Sequence, residues 1–222
     1  MSRMSAIVSV VVGLILGACA TTGGQVSEVQ KLQARSAYEQ GVTALNDRQF
    51  GAALTALQQA TMLAPGVATY RNALGIVHLQ LGRPDLALPE FETAARLDPD
   101  YGEAILNTGV ALAEVQRWDQ AVEAYRRALR SPRLMSPDTA HQNLGVALYN
   151  LRKFKEAEDE LRFAIRLEPT LEAAFYHLGL VMVAQNRPDE AKAAFRQARQ
   201  LAPNSPFGQA AVERLKALGE GG

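Results

Sequence analysis

The sequence predicts an all-α fold, an α-solenoid superhelix of five helix-turn-helix repeats closed by a C-terminal capping helix, and three observations carry that expectation. Glycines at 41, 75, 109, 145 and 179 recur at spacings of 34, 34, 36 and 34, the kind of fixed period that marks a repeat architecture. With each glycine counted as position eight, position twenty is Ala53, Ala87, Ala121, Ala157 and Ala191, and position twenty-seven is Ala60, Ala94, Ala128, Ala164 and Ala198. Position twenty-four is always bulky: Leu57, Phe91, Tyr125, Leu161 and Phe195. The composition agrees, since 48% of the 222 residues are hydrophobic and only 6% aromatic, a balance suited to helices packed through small aliphatic side chains.

Residues 1–18 read as an export signal. Arg3 precedes an apolar stretch from Ile7 to Val12 and then Gly13 to Ala18, with no acid among them. The stretch is shorter than the roughly 20 residues that cross a bilayer and has the charge order of a signal-peptide core. It ends in Leu16, Gly17, Ala18 and Cys19, which resembles the bacterial lipobox. That resemblance implies cleavage before Cys19 and covalent lipid on its thiol; the alternative is an ordinary secretory signal with a chance cysteine. Several acyl chains hold a protein at a membrane where one is marginal. No other cofactor is expected. Cys19 is the only cysteine, so the exported chain must be stabilised by packing without a disulfide. Ala20 after the cysteine, by similarity to enterobacterial sorting rules, implies the outer membrane with the folded part facing the periplasm. Within residues 19–33, Ala20 to Ser27 form a small, polar tether leading into the first helix. At about 3.5 Å per extended residue, the tether keeps the folded part within roughly 30 Å of the lipid.

Five units follow, at 34–67, 68–101, 102–137, 138–171 and 172–205. A glycine in a helix costs about 1 kcal/mol relative to alanine. Five at one register therefore require a close backbone approach, with the large residue at position twenty-four filling the space. Pro65, Pro99, Pro169 and Pro203 close four of the units. This register resembles the tetratricopeptide repeat, which implies two antiparallel helices per unit. The turns fall near Asp47-Arg48, Gly82-Arg83, Gln116-Arg117, Arg152-Lys153 and Asn186-Arg187, and Pro84 and Pro188 suit a first helical turn. Two extra residues separate the third and fourth units, within 131–137, and displace the closing proline. They predict a bend or a presented loop, either a contact or a tolerated insertion. Residues 206–218 read as an amphipathic helix covering the open end of the stack, and 219–222 as a disordered tail.

Binding in such a stack is expected on the first helix of each unit, whose fifth, ninth and twelfth positions form one stripe. In the tetratricopeptide family that stripe lines the concave groove. It contains Tyr38, Val42, Leu45; Asn72, Ile76, Leu79; Leu106, Val110, Ala113; Gln142, Val146, Tyr149; and Tyr176, Leu180, Val183. None is charged, and packing between repeats is the competing role for the aliphatic ones. Asn107 and Asn143 share position six, where an amide can both donate to and accept from an extended peptide. The carboxylate clamp of chaperone-binding repeats is excluded, because Tyr38 and Val42 occupy two of its positions.

Charge excludes other partners. Lys and Arg number 23 against 23 acids, so no global field favours nucleic acid. The basic run Arg126, Arg127, Arg130, Arg133, Arg152, Lys153, Lys155 is followed by Glu156, Glu158, Asp159 and Glu160, as on a solvated face. His78, His141 and His177 occupy different repeat positions without metal-ligand spacing. Neither an enzyme nor a small-molecule site is expected, and the expected partner is a protein.

The lipobox, the short tether, repeats over most of the chain and the segment 131–145, Ser-Pro-Arg-Leu-Met-Ser-Pro-Asp-Thr-Ala-His-Gln-Asn-Leu-Gly, together resemble the type IV pilus biogenesis lipoproteins, the pilotins. That resemblance implies a secretin subunit as partner. That family usually has six repeats, whereas five and a cap are found here. The alternative is a lipid-anchored periplasmic scaffold for envelope hydrolases or polysaccharide-export components.

Overall fold

The computed structural model describes residues 27–220, all of whose regular elements are α-helices. Residues 1–26, with the signal segment, Cys19 and most of the tether, lie outside the described residues, as do 221–222. Five antiparallel pairs succeed one another: α1 (Glu28–Asn46) with α2 (Phe50–Leu63), α3 (Ala68–Gln80) with α4 (Pro84–Leu97), α5 (Gly102–Glu114) with α6 (Trp118–Leu129), α7 (Pro137–Asn150) with α8 (Phe154–Leu167), and α9 (Glu172–Ala184) with α10 (Pro188–Leu201). Helix α11 (Pro206–Ala217) then packs on α10 and α9. The backbones of the odd-numbered helices approach one another along the stack, whereas successive even-numbered helices meet only through long side chains such as Arg126 and Glu156 at 2.9 Å. The odd helices therefore line the inner, concave side of an all-α tetratricopeptide-type superhelix.

The repeated register explains the packing. The alanines at positions twenty and twenty-seven are fully buried in all five units. A Cβ added at Gly41, Gly75, Gly145 or Gly179 would lie 2.5–2.6 Å from Leu57, Phe91, Leu161 or Phe195, and one at Gly109 would strike Tyr125. Each glycine thus admits the large residue sixteen positions later in its own unit.

Every helix pair turns in the same way. Arg48, Gly82, Gln116, Arg152 and Asn186 all lie in the left-handed region, φ 58 to 67°. In each turn the next residue's N–H returns to the carbonyl five residues back, as from Gln49 to Ala44 and from Lys153 to Leu148. This is the Schellman closure of a helix end, and only the second unit places glycine at its strained position. Helix α1 opens on a capping box in which Ser27 and Gln30 satisfy each other's backbone N–H.

Two sequence expectations need adjustment. The presumed loose tail is partly folded: Gly219 takes φ 80° and closes α11, and the Glu220 carboxylate grips Arg196 at 2.6 and 2.9 Å. The segment after α6 is not a free loop. Helix α6 stops at Leu129 because Pro132 disfavours helix at the residue before it. Residues 130–136 then lie against the preceding connection. Arg133 pairs with Asp98 at 2.9 Å, the Ser131 hydroxyl donates to the carbonyl of Asp100, and the Met135 N–H donates to Glu103. Leu134 sits so close to Gly102 that a Cβ there would meet its Cα at 2.8 Å. Met135 itself is 87% exposed. Helix α7 begins on Pro137, at the boundary the sequence reading gave to the third unit, since proline suits a first helical position.

A buried charge joins the fourth and fifth units. Glu158 of α8, 2% exposed, receives Arg187 at 2.8 Å and the amide of Gln185 at 3.0 Å, and also pairs with Arg162. Burial alone would raise its pKa, but the hydrogen bonds from Gln185 and Arg187 and the nearby guanidinium charges hold it below the usual carboxylate value.

Candidate peptide-binding groove

The predicted stripe divides into three neighbourhoods along the concave side. At the amino-terminal end, the Tyr38 ring on α1 stacks on Tyr70 of α3 at 4.7 Å, with Val42 half-buried beside it on α1. Burial, with the neighbouring Tyr70, raises the Tyr38 pKa, so the phenol stays neutral. Asn72 of α3 is only 6% exposed. It donates to the Tyr101 hydroxyl at 3.1 Å and accepts from the Asn107 amide at 2.9 Å. Its hydrogen-bonding capacity is thus largely used within the protein, which makes it a spacer between repeats rather than a surface ligand. Ile76 packs with Leu79 against Phe91, Ala87 and Ala111.

The middle neighbourhood is a cleft of about 340 Å³ between α5, α6 and α7. Val110 and Ala113 line it from α5, Asn143, Val146 and Ala147 from α7, and Trp118 and Tyr125 from α6, with Glu114 at the end of α5. Val110 and Asn143, 33 positions apart in sequence, are thereby brought into one site. Leu106, one turn before Val110, is 5% exposed and belongs to the core. Gln142 approaches Asn143 only at 3.5 Å.

The carboxy-terminal neighbourhood is aromatic. Tyr176 of α9 meets Phe195 at 5.7 Å and Phe207 of α11 at 5.6 Å, and His177 meets Phe207 at 5.4 Å. Burial drives the His177 pKa down to about 4. Leu180 packs against the main core. Tyr149 faces Phe154 at 5.7 Å in its own unit. Tyr149 and Tyr176 both pack against the main core, whereas Tyr38 packs against the separate amino-terminal cluster.

Glu114, Trp118, Tyr70, Tyr101 and Phe207 were not singled out by the sequence pattern. Glu114 lies at position thirteen, one step beyond the stripe, and a stripe widened by that residue would have included it. The groove is consequently not free of charge. The other two histidines are structural: His78 is buried in α3, and His141 contacts Glu160 at 2.5 Å and Phe163.

The tetratricopeptide repeat profile matches residues 38–102, 72–134, 106–172 and 143–206. The chain belongs to the tetratricopeptide repeat family. The repeat is a protein-interaction scaffold. The chain is 31% identical over 90 residues to small glutamine-rich tetratricopeptide repeat-containing protein 2 of Mycosarcoma maydis, covering 40% of this chain and 26% of that protein. It is 30% identical over 139 residues to the type IV pilus assembly protein PilF of Pseudomonas aeruginosa, covering 60% of this chain and 53% of that one. The tetratricopeptide chain thus spans about a quarter and about half of these two curated relatives. The solved structure of Pseudomonas aeruginosa PilF superposes with a TM-score of 0.70 over 88% of this chain and 96% of the other, at 17% identity, a likeness of fold.

Proposed function

We propose that this tetratricopeptide-repeat chain is an outer-membrane lipoprotein of the pilotin kind, anchored through lipid on Cys19. Its groove holds a segment of a secretin subunit until the subunits assemble. The observation that supports this most directly is the similarity to PilF, at 30% identity over 139 residues, joined to the lipobox-like Leu16-Gly17-Ala18-Cys19. Such a protein needs no reaction. It needs an anchor, a short tether and a surface that binds an extended segment, and the half-buried apolar groove residues suit the last of these.

The test is a crosslinked pull-down from envelope membranes with three forms of the protein: intact, Cys19→Ala, and Val110→Glu with Asn143→Arg. The reading expects a secretin with the intact form, loss of membrane retention with Cys19→Ala, and loss of the secretin with the groove variant. Recovery of envelope hydrolases or polysaccharide-export proteins without a secretin would replace the pilotin role with that of a periplasmic scaffold.

A further inference from the structure

The cleft between α5, α6 and α7 has a chemistry more particular than an apolar groove. Its walls are Val110, Ala113, Val146 and Ala147, and a single carboxylate, Glu114, stands at its edge. Glu114 is the last residue of α5, where the helix dipole already places negative charge. It enters none of the ion pairs formed among the described residues, whereas Glu90, Glu156, Glu158 and Glu190 all have arginine partners. Exposed at the rim, its charge is met by water alone, beside a helix end whose partial charge has the same sign. A ligand cation would relieve it.

Asn143, on the opposite wall, accepts one long hydrogen bond, from the Gln142 amide at 3.5 Å. Its NH2 group donates to nothing among the described residues and its oxygen carries only that long bond, so the amide can still bond the N–H and C=O of one residue of an extended chain. This contrasts with Asn72, whose amide is already engaged at both ends.

We propose that this cleft takes a lysine or arginine side chain of an extended polypeptide partner. The aliphatic stem lies along Val110 and Val146, the cation meets Glu114, and the backbone of that residue pairs with Asn143. Long basic side chains suit such a site because the stem is apolar while the head is charged. The inference rests on the reading that the groove binds a polypeptide, and it adds the chemistry of one subsite.

Trp118 lines the cleft and is the only tryptophan in the chain, so its fluorescence reports occupancy of this place alone. The experiment incubates an array of random ten-residue peptides with the intact chain and with Glu114→Lys, after circular dichroism has verified that both are equally helical. The expected result is enrichment of Lys and Arg among peptides retained by the intact chain and of Asp and Glu among those retained by Glu114→Lys. A retained basic peptide should shift Trp118 emission, and Glu114→Gln should weaken it by about three- to fivefold, the scale of a partly exposed ion pair. Retained peptides without a basic preference, a preference unaltered by Glu114→Lys, or no Trp118 response would overturn the proposal while leaving polypeptide binding intact. Failure to retain any peptide would overturn both.

Discussion

Asn107 donates its side-chain amide to the side-chain oxygen of Asn72 at 2.9 Å, joining the third repeat to the second, and Asn72 passes the connection on to the Tyr101 hydroxyl. Removing Asn72 leaves both neighbours without this partner in a part-buried place. Asn72→Ala is therefore expected to cost about 1–3 kcal/mol, and Asn107→Ala less, because it strands only the Asn72 oxygen while the Asn72 amide keeps its bond to Tyr101. Urea denaturation of the two variants decides the order.

The packing glycines give a paired prediction. Gly109→Ala must displace the buried Tyr125 ring, and overpacking of this sort costs about 1–3 kcal/mol. Gly51→Ala, in exposed helix with nothing near its added methyl, should instead stabilise by about 0.4–1 kcal/mol. Thermal melts of the two proteins should move in opposite directions.

The shared turn geometry makes a third case. Gln116 holds φ 58°, where a side chain costs about 1–2 kcal/mol relative to glycine. Gln116→Gly is expected to raise the melting temperature and Gly82→Ala to lower it, since Gly82 occupies the equivalent position at φ 67°. Equal and unchanged melts would refute a strain account of these turns.

Acid should loosen the carboxy-terminal cap first. The folded His177 has a pKa of about 4, against an ordinary value of 6.5. The unfolded chain therefore takes up a proton that the folded chain refuses as pH falls below 6.5. Stability is full above that value and declines towards pH 4, by up to about 3 kcal/mol. Glu158, with its pKa below 4.5, adds its loss at lower pH still. Hydrogen exchange at pH 5 should show α11 opening before the other helices, and His177→Gln should flatten the decline between pH 6.5 and 4.

Much of this was readable beforehand, for a physical reason. Gly41 and its counterparts meet the large residue sixteen positions later inside their own units, and such contacts recur at a fixed distance in sequence. The groove was less legible. Position five is half-buried at Tyr38 yet buried at Asn72 and Leu106, because its surroundings are supplied by the adjoining repeat, whose side chains differ each time. Glu114 and Trp118 share a site only because the turn between α5 and α6 folds them together, and no periodic pattern marks that. The docking of residues 130–136 depended on Asp98 and Asp100 in the connection some thirty residues earlier and on Gly102 and Glu103 at the start of α5, whose role nothing local announced.

Those ties also affect how the superhelix deforms. A stack whose units touch only their neighbours behaves as a spring, with each junction a coil that can open or tighten. The contacts of Arg133, Ser131, Leu134 and Met135 tie the third junction back to residues 98–103, which should stiffen it relative to a four-residue connection without such ties. Bending is then concentrated in the flanking units, and the cleft beside Val110 and Asn143 becomes the rigid waist of the spring. A long ligand would find this portion already in shape and the two ends still compliant.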